Sequence, residues 1–168
     1  FCREFALDIQ TKLPHQLNAP AAKVSPPELA VVVCTQGSHD ICCGSEGARL
    51  ANDLERLAPG LSVIRVSHTG GHRFAPTAMT IPDGRMWAYL DVDTTLSILE
   101  LTGNASSLSS QCRGWWGAST GPGQAAERAV FGHLGWELDL LPREVNVQEV
   151  ESGWVVSVSV ARQEWLLE

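Results

Sequence analysis

Residues 29–33 (LAVVV) form a short, unbroken, β-branched apolar run that ends at Cys34, the pattern of a strand buried on both faces. Leu50, Leu54 and Leu57 then recur at i, i+4 and i+7 with Ala48 and Ala51 beside them, which predicts an amphipathic helix stopping near Pro59-Gly60. Residues 61–66 (LSVIRV) return as a second strand, so strand, helix and strand read as a βαβ unit with a right-handed crossover. Residues 78–81 and 86–90, separated by Pro82-Asp83-Gly84, predict a hairpin. Helices are expected over 94–101 and over 123–134, where Ala126, Val130 and Leu134 share a face, with a Gly, Ser and aromatic loop over 104–121 between them. The chain closes with residues 145–150, a turn at Glu151-Ser152-Gly153, and Trp154, Val156, Val158 and Val160 alternating with serines, an antiparallel hairpin with one buried face. Residues 1–28 carry Pro14, Pro20, Pro26 and Pro27 without periodicity and read as an irregular N-terminal arm, leaving 29–168 as the folded domain. The fold class is therefore α/β, a βαβ core plus a β-hairpin, with a C-terminal helix and antiparallel hairpin added.

Composition narrows the function classes. A chain of 168 residues with 44% apolar and 18% charged residues suits one domain with a substantial core. Twelve Lys and Arg against nineteen Asp and Glu give a formal charge of -7, which offers no basic footprint for nucleic acid or anionic lipid. No apolar run approaches the roughly 18 residues of a membrane span. The expected location is cytoplasmic; because the chain starts at Phe1, a mitochondrial or other organellar matrix after loss of a targeting segment is the alternative.

Five cysteines, at Cys2, Cys34, Cys42, Cys43 and Cys112, are an odd number with one adjacent pair, which argues against a disulfide framework and for metal or redox chemistry. The βαβ geometry brings the loop after the first strand and the loop after the second to one sheet edge, where open α/β folds place their sites. Cys34 and Cys43 come from the first loop, and His68 and His72 from the second, with Gly70 and Gly71 between the histidines to let the backbone turn tightly. Cys42 is the alternative to Cys43, since adjacent side chains in an extended chain diverge and only one of the pair would face the site. Cys2 and Cys112 lie outside these loops and read as bystanders. Two Cys and two His also suit zinc in an interaction module, although eight residues between the thiols exceeds the spacing of a zinc knuckle. A thiol-dependent redox enzyme, with Cys42 or Cys43 activated by His39 or His68, is a third reading; no Cys-x-x-Cys supports it.

The stretch Val33-Cys34-Thr35-Gln36-Gly37-Ser38-His39-Asp40-Ile41-Cys42-Cys43-Gly44, the later Ser67-His68-Thr69-Gly70-Gly71-His72-Arg73-Phe74-Ala75-Pro76, and the turn Ile81-Pro82-Asp83-Gly84 together resemble the sucrase/ferredoxin-like family. Weaker likeness continues through Cys112-Arg113-Gly114 to the final hairpin, so that it spans roughly residues 29–167. The resemblance implies a thioredoxin-like ferredoxin whose 2Fe-2S cluster is held by Cys34, Cys43, His68 and His72. His39 stands where the family has a basic residue before the acidic one, and is a candidate donor around the cluster. Gly70 and Gly71 could supply amide hydrogen bonds there, and Arg73 could neutralise the reduced form. Two thiolates and two neutral imidazoles balance the two positive charges of an oxidised core, so the potential should lie above that of all-Cys ferredoxins and fall with pH. The implied role is one-electron transfer with a redox partner protein, a reductase or acceptor, with the acidic surface suited to a basic one.

Overall fold

The computed structural model describes residues 29–37, 42–161 and 163–167; the expected arm over 1–28 and His39 lie outside the described residues. The first sheet has the order β2-β1-β3-β4-β5, formed by β1 (Ala30–Cys34), β2 (Ser62–Val66), β3 (Ala78–Ile81), β4 (Arg85–Trp87) and β5 (Cys112–Trp115). β1 runs parallel to β2, joined by α1 (Ala48–Leu57), and antiparallel to β3; β3 with β4 and β4 with β5 are also antiparallel. A βαβ unit followed by a hairpin that pairs back onto the first strand is a thioredoxin-like arrangement, and it is the architecture expected from the sequence.

β1 takes an interior place, between β2 and β3, where Val31 and Val33 find apolar cover, both being fully buried. α1 turns Leu50, Ala51 and Leu54 into that cover, while Leu57, its last residue ahead of Pro59, is 52% exposed. α2 (Val92–Leu99) starts two residues before the expected helix, with the Asp91 side chain accepting from the Thr94 amide as an N-cap. The expected loop over 104–121 is a correction: it contains α3 (Ala105–Leu108), capped by Asn104, and β5. Four residues pairing with β4 at the sheet edge need no apolar alternation of their own, so nothing in the pattern announces β5.

α4 (Gly121–Leu134) and the one-turn α5 (Glu137–Leu140) lead to a second antiparallel sheet, β6 (Arg143–Val150), β7 (Gly153–Val160) and β8 (Gln163–Leu167) in that order. The expected closing hairpin is thus a three-stranded sheet. Val156, Val158 and Val160 form its buried face as the alternation required, while Trp154 at the strand's start is 46% exposed. Phe131 of α4 packs edge-on against Trp87 of β4 at 5.9 Å, so one apolar core runs from β1 through α4 to β7. Among the described residues no helix is long and apolar enough to cross a membrane.

The polar interior is as organised as the apolar one. Arg85 of β4 is fully buried and donates through Nη1 and Nη2 to the two carboxylate oxygens of Glu127 on α4, each at 3.0 Å, and also to Asp139 on α5. Arg143 of β6 lies 3.2 Å from both Glu127 and Asp139. The Arg85 guanidinium further stacks 3.9 Å over the Phe131 ring. Four elements therefore meet on one buried set of two cations and two anions.

Candidate metal centre

Cys34 is the last residue of β1 and pairs in register with Val66, the last residue of β2, so the loops that follow the two strands leave from the same edge. The Thr35 amide donates to the Val66 carbonyl at 3.0 Å and holds the two chains together one residue further. The Cys34 thiol donates to the carbonyl of Ser67 at 3.7 Å, directly beside His68. In this way the structure brings the first predicted thiol to the start of the His68–His72 loop.

The second thiol arrives on a helix. Cys43–Gly47 is a single turn of π-helix that runs into α1, a form that recurs at functional sites. Two glycines let it pack against the strand: a Cβ on Gly47 would run into the Cys34 carbonyl oxygen, and one on Gly44 would run into the backbone of Gly37. Cys42 has helical dihedrals, φ -64° and ψ -47°, rather than the extended conformation on which the choice between the cysteines was based. Successive residues of a helix still point about 100° apart. Accordingly Cys42 is exposed whereas Cys43, like Cys34, is only 2% exposed.

The histidine loop is shaped by Gly70 and Gly71, both in left-handed backbone at φ +80° and +73°. His72 opens a 3-10 turn, His72–Phe74, closed by the Phe74 amide donating to the Gly71 carbonyl at 2.9 Å. Thr69 and Thr77 join their hydroxyls at 2.8 Å, tying the loop to the residue before β3. His68 is exposed, and so is Arg73. Arg113 reaches the loop from β5: its Nη1 donates to the Gly70 carbonyl at 2.7 Å, and its guanidinium fills the space a Cβ on Gly71 would need. Burial pulls the Arg113 pKa below the usual guanidinium value. Sequence reasoning passed over Arg113, since nothing in a 43-residue separation marks it as a loop partner.

Cys112 belongs elsewhere. Its sulfur accepts from Arg85 Nη1 at 3.6 Å and from the Gly114 amide at 3.4 Å, inside the polar core, where burial pushes the thiol pKa up. Among the described residues no three His, Cys, Asp or Glu side chains close into a group able to hold a metal ion. In donor chemistry, the two buried thiols and the histidine loop at one strand edge fit a soft metal or an iron-sulfur group.

An α/β protein of thioredoxin-like topology, with two buried thiols and a histidine-bearing loop at the ends of its parallel strand pair, is the class that fold and site define. The sequence model of the Sucrase/ferredoxin-like family matches residues 3–114, more than half of the chain, and the protein belongs to that family. The match reaches into the N-terminal arm and stops at Gly114, whereas the motif likeness spans roughly residues 29–167. No curated protein matches. Among solved structures, two cysteine-to-serine variants of the thioredoxin-like 2Fe-2S ferredoxin from Aquifex aeolicus are similar at 15% identity, with TM-scores of 0.35 and 0.34, over 43% of this chain and 83% of theirs.

Proposed function

We propose that this protein is a one-electron carrier that holds a 2Fe-2S cluster on Cys34, Cys43, His68 and His72. The observation that carries the reading is the meeting of the two loops: a buried thiol at the end of β1 hydrogen-bonded to Ser67, with the second buried thiol on the helical turn packed against that strand end. When bound, a 2Fe-2S group takes up and releases a single electron. Deprotonated Cys34 and Cys43 would supply two negative charges, and neutral His68 and His72 none, which raises the potential relative to an all-thiolate set. Each imidazole would keep one ring nitrogen for a proton. With one proton taken up per electron, the potential drops by about 59 mV per pH unit.

Anaerobic purification followed by metal analysis and visible spectroscopy tests the proposal. The expected result is a red-brown protein with about two irons per chain whose visible absorption bleaches with dithionite. His68→Cys should retain iron and lower the potential. A colourless, zinc-containing protein that takes up no iron on anaerobic reconstitution would overturn the reading.

A further inference from the structure

Beside the histidine loop lies a cavity of about 290 Å³, lined among others by Phe74, Tyr89, Arg113, Gly121, Gln124 and Arg128. Its two guanidinium groups are anchored by backbone carbonyls, Arg113 to Gly70 at 2.7 Å and Arg128 to Cys112 at 3.4 Å. Neither has a carboxylate partner among the described residues, in contrast to Arg49, Arg56, Arg65, Arg85 and Arg143. One hydrogen bond each leaves most of their N–H donors unspent. In a chain of formal charge -7 this is a local inversion of sign.

The rim has the composition of a protein contact. Phe74 and Tyr89 stand edge to face at 5.8 Å and are 41% and 54% exposed, and the Arg113 guanidinium lies 5.4 Å from the Phe74 ring centre. Exposed aromatics around paired arginines are what interface centres are enriched in, and a planar guanidinium matches a carboxylate with two parallel hydrogen bonds. We propose that this cavity docks a carboxylate-rich segment of the partner protein that exchanges electrons with the site. The inference rests on the carrier reading above and reverses its charge expectation: the partner face is acidic at the contact, although the chain as a whole is acidic too. Docking there places the partner on Arg113, which also donates to the backbone of the histidine loop.

Titration of the isotope-labelled, anaerobically purified protein with a hexaglutamate peptide at low salt, followed by amide shifts, tests the proposal. The whole-chain charge repels this peptide, so saturable binding requires a local site. Shifts confined to residues near 74, 89, 110–113 and 121–128, weakened about tenfold in Arg128→Glu and partly restored in Arg128→Lys, are the expected result. No saturable shifts, shifts mapping elsewhere, or unchanged affinity in Arg128→Glu would overturn it. So would inorganic phosphate competing at equal concentration, which would make this a small-anion site. Iron content, measured on the same samples, separates the two readings: a protein that takes up no iron on anaerobic reconstitution yet binds the peptide refutes the carrier and keeps the cavity, and a red-brown one that ignores it does the reverse.

Discussion

Replacing Glu127 by alanine removes the carboxylate on which both buried arginines converge. Arg85 loses two 3.0 Å hydrogen bonds and Arg143 one contact at 3.2 Å, in a region where Arg85 and Glu127 are wholly shielded from water. Breaking a buried ion pair by deleting one member costs about 3–5 kcal/mol, because the surviving charge stays desolvated. Here Asp139 still faces both guanidiniums and the Phe131 ring still covers Arg85, which places the loss near the lower end, about 3 kcal/mol. For a chain of this length each kcal/mol lowers Tm by about 2–4 °C, so thermal melting followed by far-ultraviolet circular dichroism should show a drop of about 6–12 °C. The pair variant Arg85→Met with Glu127→Leu removes both charges and should melt above the single variant. A Glu127→Ala protein melting within about 2 °C of the parent, or a pair variant below the single one, would refute the reasoning.

Two further outcomes follow from local geometry. Gly47→Ala puts a methyl group against the Cys34 carbonyl, where backbone rather than a yielding side chain stands in the way, so it should destabilise by at least about 1–3 kcal/mol; an unchanged melting point would count against the packing described. Asp91 accepts from the Thr94 amide at 2.7 Å, which holds its carboxyl below the ordinary range. A lowered folded pKa gives stability that is present above the unfolded value of about 3.9 and is lost as pH falls through the folded one. Asp91→Ala should therefore cost about 1 kcal/mol at pH 6 and progressively less below pH 4 in urea titrations. A difference that grew on acidification would contradict that cap.

Much of the fold could be read because its elements carry their own periodicity. Residues 30–34, the Leu50 and Leu54 face of α1, and the Val156, Val158 and Val160 alternation each bury apolar side chains at the spacing their secondary structure dictates. β5, α5 and β8 lack such a signature and exist because a neighbour pairs with or packs on them; β8, for example, is held in register along β7. Asn104 caps α3, but a four-residue helix behind it has no repeat to announce it. At the site, the placement of both loops at one edge followed from the crossover alone. Arg113 did not, nor did the burial of Arg85, an amino acid type that sequence reasoning puts at the surface by default. The oxygens they bind are 42 to 54 residues away, and no local pattern encodes a contact of that span.

The buried charge cluster straddles the end of the family match. The family match ends at Gly114, yet Arg85, well inside it, owes its neutralisation to Glu127 and Asp139 beyond it. A chain cut at that boundary would keep the thiols and the histidine loop and would bring a naked guanidinium into its interior. Charge neutrality inside the matched stretch is thus supplied from outside it, by side chains on α4 and α5.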